Sequence, residues 1–469
     1  MNDPVYTFIA EGHRLSTEGD FQAAEICFRK ALDLNPSSAM AHNNLGWACE
    51  RAGKVDEAVG HYERALDLNA ELALAQVNLA TLLARLGRHD QAVPIWDELL
   101  ESGIYDEELI NDAIDSALAQ GDIRYAAQWA EVCAQALRGS SVSSGIDTDR
   151  IVISGTADAY VTAETLEHDI EQIRYLIRCG GMGLDGGRDL EGMARHYEAV
   201  LTAWLRTGTS QRRPLTDEEQ ALIGETYGRI FHSRITPRID SSSIWGRWNP
   251  GSVERAYANS RSGICVIDDF LSPDALHELR LFCLESTVWF RNHYAHGRLG
   301  AFFREGFNCP LLVQIAEELR VAFPRLIGDT HRLLQLWVFK YGAHQPATHA
   351  HADFAAVNVN FWLTPEGANL DENSGGLVVY DREAPEDWNF DAYNKEGQKI
   401  SNFLRQSGAR GVSIPYRSNR AVIFNSDLFH ATAPLTFRRG FENRRINVTM
   451  LYGRRSEDSK GSRLPAAGL

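Results

Sequence analysis

Nothing in the cysteine pattern suggests a disulfide framework or a cysteine-based zinc site. The seven are Cys27, Cys49, Cys133, Cys179, Cys265, Cys283 and Cys309. They are odd in number, scattered, and never spaced Cys-x-x-Cys, which fits reduced thiols in a cytoplasmic chain. Most read as small buried hydrophobes. Long apolar runs are also missing. No stretch of about eighteen apolar residues occurs, so no membrane span is expected. The opening MNDPVYTFIAEG lacks the basic region and long apolar core of a secretory signal. Positive charge is in deficit: Lys and Arg number 47 against 63 Asp and Glu, a net charge of −16. Phosphate contacts need Lys and Arg, so general nucleic-acid or anionic-membrane binding is not expected. What remains is a cytoplasmic globular chain. Its apolar content of 44% supplies sizeable cores, and 469 residues imply two or three domains.

The first third is periodic. Gly19, Gly53, Gly87 and Gly121 stand 34 residues apart. Ala24, Ala58, Ala92 and Ala126 keep the same period, as do the aromatics Phe28, Tyr62 and Trp96. Ala31 and Ala65 follow, Gly12 and Gly46 precede the turn glycines, and Pro36 closes the first unit. The pattern resembles tetratricopeptide repeats, a helix pair per unit. Small residues then let paired helices approach, aromatics fill the groove between repeats, and glycine permits the turn. Three units are clear and a fourth, about 106–138, is degraded. The resemblance implies a solenoid over 1–138 whose concave face binds a protein or peptide. A rigid spacer or dimerisation arm is the alternative.

Residues 139–150, GSSVSSGIDTDR, read as a linker. A helical connector is expected over 150–240. Its first helix carries Leu166, Ile170, Ile173, Leu176 and Ile177 and ends at Gly180 and Gly181. A second spans about 188–206, and a third, 216–232, opens on Thr216 followed by acids. His168 and His196 read as structural or surface residues. After a loop-rich boundary at 237–262, GICVIDDFLSPDALHELRLFCLEST predicts a strand, then a helix capped by Ser272 with Pro273 in its first turn. Another helix, 310–322, follows Asn308, a candidate cap.

The remaining chemistry lies in RLLQLWVFKYGAHQPATHAHADFAAVNVNFWLTP, residues 332–365. An extended chain turns His351 and Asp353 to one face. Imidazole and carboxylate, with positions left open by a third ligand, suit non-haem Fe(II). The best third ligand is His430, at the end of another apolar, strand-like run. In RRINVTMLYG, Arg445, Asn447 and Thr449 alternate with Ile446, Val448 and Met450. His349 competes as a ligand in HAHAD; with His351 and His430 it would make a cupin-like site for another metal. Arg444 competes with Arg445.

This ordered set, over about 260–455, resembles the Fe(II)/2-oxoglutarate-dependent oxygenases, in particular their prolyl-hydroxylase-like and phytanoyl-type members. The resemblance implies a double-stranded β-helix, or jelly roll. It implies Fe(II) on His351, Asp353 and His430, and 2-oxoglutarate with its distal carboxylate on Arg445. Guanidinium and carboxylate form a bidentate, charge-assisted pair. Tyr341 approaches the cofactor by the same resemblance, or else is a packed core tyrosine. The alternation of Asn358 and Asn360 with Val357, Val359 and Phe361 gives a polar, cavity-lining face, on which either amide would bond the cofactor or the metal ligands, or else serve as a structural amide across strands. Asn447 and Thr449 share the cofactor-side face. Arg-x-Asn-x-Thr also occurs in the nucleic-acid dealkylase branch, but Leu451 stands where that branch has a further Arg. An insertion at 383–406 carries Trp388, Phe390 and Tyr393, which would form a lid over the substrate or pin the loop.

The architecture expected is therefore multidomain α+β: a helical solenoid, a helical connector and a C-terminal jelly roll. The activity implied is O₂-dependent hydroxylation of a substrate C–H bond. A polypeptide recruited by the repeats is the first substrate class, and a small metabolite the second. A non-catalytic interaction scaffold is the third reading.

Overall fold

The computed structural model describes residues 4–102, 107–139, 160–180, 189–208, 211–260 and 263–455. It forms two compact units, one ending at Gln120 and the other beginning at Gly121. Beyond Gly139, the stretch read as a linker lies outside the described residues, as does Gly181.

The first unit is a row of helices: α1 (Pro4–Thr17), α2 (Phe21–Leu34), α3 (Ala39–Arg51), α4 (Val55–Leu68), α5 (Ala73–Arg85), α6 (His89–Ser102) and α7 (Glu107–Gln120). The 34-residue period appears as burial: Ala24, Ala58, Ala92, Ala31 and Ala65 are wholly enclosed. Gly19, Gly53 and Gly87 turn the chain at φ of 83°, 79° and 73°, a region costly to any residue with a Cβ. Asp20 and Ser38 cap the helices that follow them, their side chains accepting from Ala23 and Ala41 N–H. The periodic aromatics pack otherwise than expected. A Cβ on Gly12 would lie 2.4 Å from the Phe28 ring, and one on Gly46 2.8 Å from Tyr62. Phe28 and Tyr62 therefore each fill the groove inside their own helix pair.

The second unit begins with α8 (Ile123–Arg138). The two helices read as one degraded fourth repeat thus fall in different units. At the end of α8, Arg138 pairs with Glu305 at 2.8 Å, both side chains buried. Arg291 reaches the same carboxylate at 2.7 Å. Burial alone would push the Glu305 carboxyl up; the two guanidiniums outweigh it and hold it below its usual value.

Next comes a small helical core. Short strands β1 (Tyr160–Val161) and β2 (Arg213–Pro214) pair antiparallel beside α9 (Ala163–Arg178), α10 (Leu190–Thr207) and α11 (Asp217–Ile223). Leu166, Ile173, Leu176, Tyr197 and Trp204 pack together within it. Thr216 and Glu219 form a reciprocal capping box. The helix expected over 216–232 nevertheless ends at Ile223. Gly228 turns at φ 70°, and the chain beyond bonds elsewhere: Ile230 N–H to the Arg138 carbonyl, Phe231 N–H to the Thr287 hydroxyl. These distant partners outbid the local helix. His168 is buried, held between Asp169 at 3.0 Å and Lys340 Nζ at 3.1 Å.

The β-rich part starts with α12 (Pro250–Asn259), β3 (Ile264–Ile267) and α13 (Pro273–Glu285), the last capped by Ser272. β4 (Leu299–Phe302) and α14 (Pro310–Ala322) follow. Asn308 does not cap α14: Cys309 occupies that position, without a side-chain bond. Pro310, with no N–H to satisfy, starts the helix instead. Then come β5 (Leu333–Lys340), β6 (His344–Gln345), β7 (Ala355–Trp362), β8 (Leu377–Glu383), α15 (Gly397–Gln406), β9 (Gly411–Ile414), β10 (Ala421–Asn425), β11 (Leu428–Thr432), β12 (Leu435–Thr436) and β13 (Ile446–Arg454). A six-stranded antiparallel sheet runs β3-β10-β7-β13-β5-β4, and a three-stranded one β11-β8-β9. Leu377, Val379 and Ile414 of the small sheet share a core with Trp362, Val422 and Phe424 of the large one. Among the described residues no helix is long and apolar enough to cross a membrane.

Candidate functional site

His351 and His430 meet as a cross-strand pair, exchanging backbone bonds of 2.9 and 2.8 Å. Asp353, two residues on, lies on the same face. The three side chains offer ligand atoms all within 4.8 Å of one another. His430 Nδ1 lies 3.1 Å from the Leu428 carbonyl, which leaves Nε2 inward, 3.4 Å from the Asp353 carboxylate. His351 Nδ1 bonds the His349 carbonyl at 3.3 Å. Burial, with His430 alongside, pushes the His351 imidazole down to about 3. A neutral ring keeps its lone pair for a metal. Burial would raise the Asp353 carboxyl, but His430, His351 and the Asn358 amide together hold it below its usual value.

The segment carrying two of these groups is clamped by the 383–406 insertion. Ala352, between His351 and Asp353, donates to the Tyr393 carbonyl at 2.9 Å and accepts from Asn394 Nδ2 at 2.8 Å. Tyr393, Ile400, Phe429 and Ala352 form one apolar cluster, with Trp388 and Phe390 against it. The insertion's aromatics pin the loop beneath the ligands.

From Asp353 an amide chain crosses the large sheet. Asn358 Nδ2 donates to the Asp353 carboxylate at 2.7 Å, and Asn360 Nδ2 donates to Asn358. Asn447 Nδ2 and Thr449 Oγ1 donate to Asn360 Oδ1 at 2.9 and 2.8 Å, and Trp362 Nε1 to Asn447 at 2.7 Å. Asn360, Asn447 and Thr449 thus bond one another, and the chain orients Asp353 through Asn358.

Arg445 lies just before β13, fully buried. Its Nε donates to the Gly375 carbonyl at 2.6 Å. Both terminal nitrogens are buried with no hydrogen-bond partner. The guanidinium carbon lies 4.7 Å from the Tyr341 ring, 5.5 Å from Trp362 and 6.0 Å from Tyr416. Burial pushes this guanidinium down from its usual value. Arg444, by contrast, pairs with Glu171 of α9 at 2.7 Å. Tyr341 Oη lies 3.3 Å from Thr432 Oγ1, two residues past His430 on β11. So Tyr341 touches both the arginine and the strand that carries His430. His349 is exposed and outside the ligand cluster.

One neighbour escaped the sequence reading. Arg298 precedes β4, and the register that pairs Leu299 with Lys340 sets it beside Tyr341. Its guanidinium carbon lies 4.3 Å from the Phe339 ring and 5.7 Å from Tyr341. Burial would raise the Tyr341 phenol; Arg298 and Arg445 outweigh it and hold the phenol below its usual value. Nothing in GRLGAFF signals this, because only strand pairing brings it here.

Residues 9–73 and 51–108 match the tetratricopeptide repeat family model, so this part of the chain consists of such repeats. No curated protein matches the chain. Among solved structures, the first TPR of Spaghetti (RPAP3) bound to an HSP90 peptide is 20% identical, over 24% of this chain and 94% of that one, with a TM-score of 0.24. YrrB, a TPR protein with an unusual peptide-binding site, is 23% identical over 26% and 64%, at 0.25. MamA is 22% identical over 27% and 73%, at 0.25.

Proposed function

We propose that residues 260–455 are an Fe(II)- and 2-oxoglutarate-dependent hydroxylase on a double-stranded β-helix, served by repeats that recruit a polypeptide substrate. The observation that carries this reading is Arg445: a wholly buried guanidinium with two unpartnered terminal nitrogens, in the same core as a three-ligand set. A buried charge is expensive unless paired. A carboxylate supplies the partner, and the planar fork of arginine matches it in two bonds. His351, Asp353 and His430 supply two nitrogens and a carboxylate, the donor set of an iron site with open positions.

When bound, iron and 2-oxoglutarate supply the O₂ chemistry that hydroxylates a C–H bond. The chain's own residues prepare the place. The Gly375 carbonyl fixes Arg445 through Nε and leaves the fork free. Tyr341 lies over the same guanidinium, its hydroxyl a second donor for the co-substrate carboxylate. Asn358 holds the Asp353 carboxylate in one orientation. Trp362, 5.5 Å from the Arg445 guanidinium carbon, and Phe424, 4.9 Å from the His430 ring, set apolar surface against both.

A polypeptide is favoured as substrate because residues 9–108 are repeats of a type that builds an extended binding surface. Such a surface raises the local concentration of a tethered substrate without touching the chemistry. The test is succinate formation with Fe(II), ascorbate and 2-oxoglutarate, measured with candidate peptides and small metabolites. Succinate formation that disappears on Arg445→Ala and His430→Ala is the expected result. No succinate under any condition, from folded protein shown to bind neither metal nor 2-oxoglutarate, refutes the reading.

A further inference from the structure

A second set of metal-ligating side chains lies in the helical repeats. Cys49 sits near the end of α3, fully buried. Glu57 and His61, four residues apart, share a face of α4 that meets it. The Cys49 sulfur, a Glu57 oxygen and a His61 ring nitrogen all lie within 4.8 Å of one another. His42, seven residues before Cys49 on α3, brings its Nδ1 to 3.3 Å from the His61 Nδ1. The two rings are tilted by 31°, with centroids 5.5 Å apart.

We propose that Cys49, Glu57 and His61 bind a divalent ion of the zinc class, with water in the fourth position and His42 against the His61 ring. Thiolate, imidazole and carboxylate are the donors zinc takes, four in tetrahedral array. The arrangement differs from a Cys-x-x-Cys pattern, since one thiol of α3 is joined by a carboxylate and an imidazole of α4. Burial holds the His61 imidazole below its usual value, so a lone pair is available, and it pushes the Cys49 thiol up to about 11, so the metal has to displace that proton. On binding, the Cys49 S–H bond breaks, a sulfur–metal bond forms, and the proton leaves to solvent.

The ion would compete with one neighbouring charge only weakly. Glu25 accepts from Lys54 at 2.9 Å and from Arg29 at 2.9 Å. Arg29 also reaches Glu57 at 2.8 Å. Glu57 exchanges that exposed pair, which is worth little, for the metal. Arg29 keeps Glu25. An ion held in this way bridges α3 and α4 and stiffens the second repeat. None of this depends on the iron site.

The test uses the full-length chain carrying His351→Ala, Asp353→Ala and His430→Ala together, which removes the other ligand set. Cobalt(II) is titrated into the reduced protein, then displaced by zinc(II). One equivalent of cobalt should bind with tetrahedral d–d bands and a thiolate-to-cobalt charge-transfer band. Cys49→Ser should remove the charge-transfer band, and His61→Ala should weaken binding about 100-fold or more. Zinc should raise the unfolding temperature of the parent and not of either variant. Circular dichroism verifies that each protein is helical. Absence of the charge-transfer band in the folded parent overturns the proposal. So does a band that survives Cys49→Ser, or binding that is unaltered by both His61→Ala and Glu57→Gln.

Discussion

Replacing Arg445 by methionine separates the cost of a buried charge from its use. The guanidinium is fully enclosed, and its terminal nitrogens are unpartnered. What offsets desolvation is one charged hydrogen bond to Gly375 at 2.6 Å and three ring faces at 4.7, 5.5 and 6.0 Å, two of them the phenols Tyr341 and Tyr416. Such a bond contributes about 1.5–3 kcal/mol, and a ring face about 0.5–2 kcal/mol. Losing water costs a buried ion several kcal/mol, and each unsatisfied nitrogen is part of that cost. Methionine has similar length and no charge. Exchanges of buried charge for apolar volume stabilise by about 1–4 kcal/mol. Arg445→Met should therefore raise the stability of the metal-free β-rich unit within that range, read as a higher urea midpoint by tryptophan fluorescence. The second arm adds 2-oxoglutarate with manganese(II), which avoids turnover. Ligand at a hundredfold its Kd should stabilise the natural chain by about 2.7 kcal/mol and leave the variant unmoved. If metal-free Arg445→Met is instead less stable by more than about 1 kcal/mol, the guanidinium was already satisfied. The argument for a carboxylate partner then fails.

Four further outcomes are expected. Ala at His351, Asp353 or His430 should abolish iron binding, read by calorimetry, with helicity unchanged; loss on His349→Ala alone would favour the cupin-like alternative. Glu305→Gln leaves the buried Arg138 and the partly exposed Arg291 without this anion and should cost about 3–5 kcal/mol. Because the Glu305 carboxyl is depressed in the folded protein, its stabilisation is present above its ordinary value of 4.5 and is lost as pH falls through the lower folded value; a denaturant midpoint followed against pH should lose that acid-side slope in Glu305→Gln. Gly46→Ala drives a Cβ to 2.8 Å from Tyr62 and should lower the melting point of the repeats, overpacking costing about 1–3 kcal/mol. Gly60→Ala, with open space around it, should gain about 1 kcal/mol from helix propensity. Finally, removing residues 1–120 should preserve iron and 2-oxoglutarate binding, while removing 1–138 takes Arg138 from Glu305 and should destabilise the remainder; only hydroxylation of a recruited polypeptide, not of a small metabolite, should fall with the shorter deletion.

Sequence alone determined what is local or periodic in this protein. The 34-residue spacing of glycine and alanine is a helix-pair period, and it reappears as turns with positive φ and as fully enclosed alanines. The Ser272 cap and the Thr216–Glu219 box involve neighbours within one turn, so the chain states them outright. Strand alternation sent Arg445 and Arg444 to opposite faces before any partner was known. Tertiary structure decided whatever depended on distant partners. The helix after Thr216 stops at Ile223 because Arg138 and Thr287 claim the following backbone N–H groups. Phe28 and Tyr62 turn into their own helix pairs because Gly12 and Gly46 leave the room there. α8 sits with the β-rich unit, where Glu305 takes its terminal arginine. Tyr341 stands between Arg298 and Arg445 through strand pairing, which no short window of sequence records. Bonds across a sheet and ions from another layer have no fixed separation along the chain, and that is why only the folded structure reveals them.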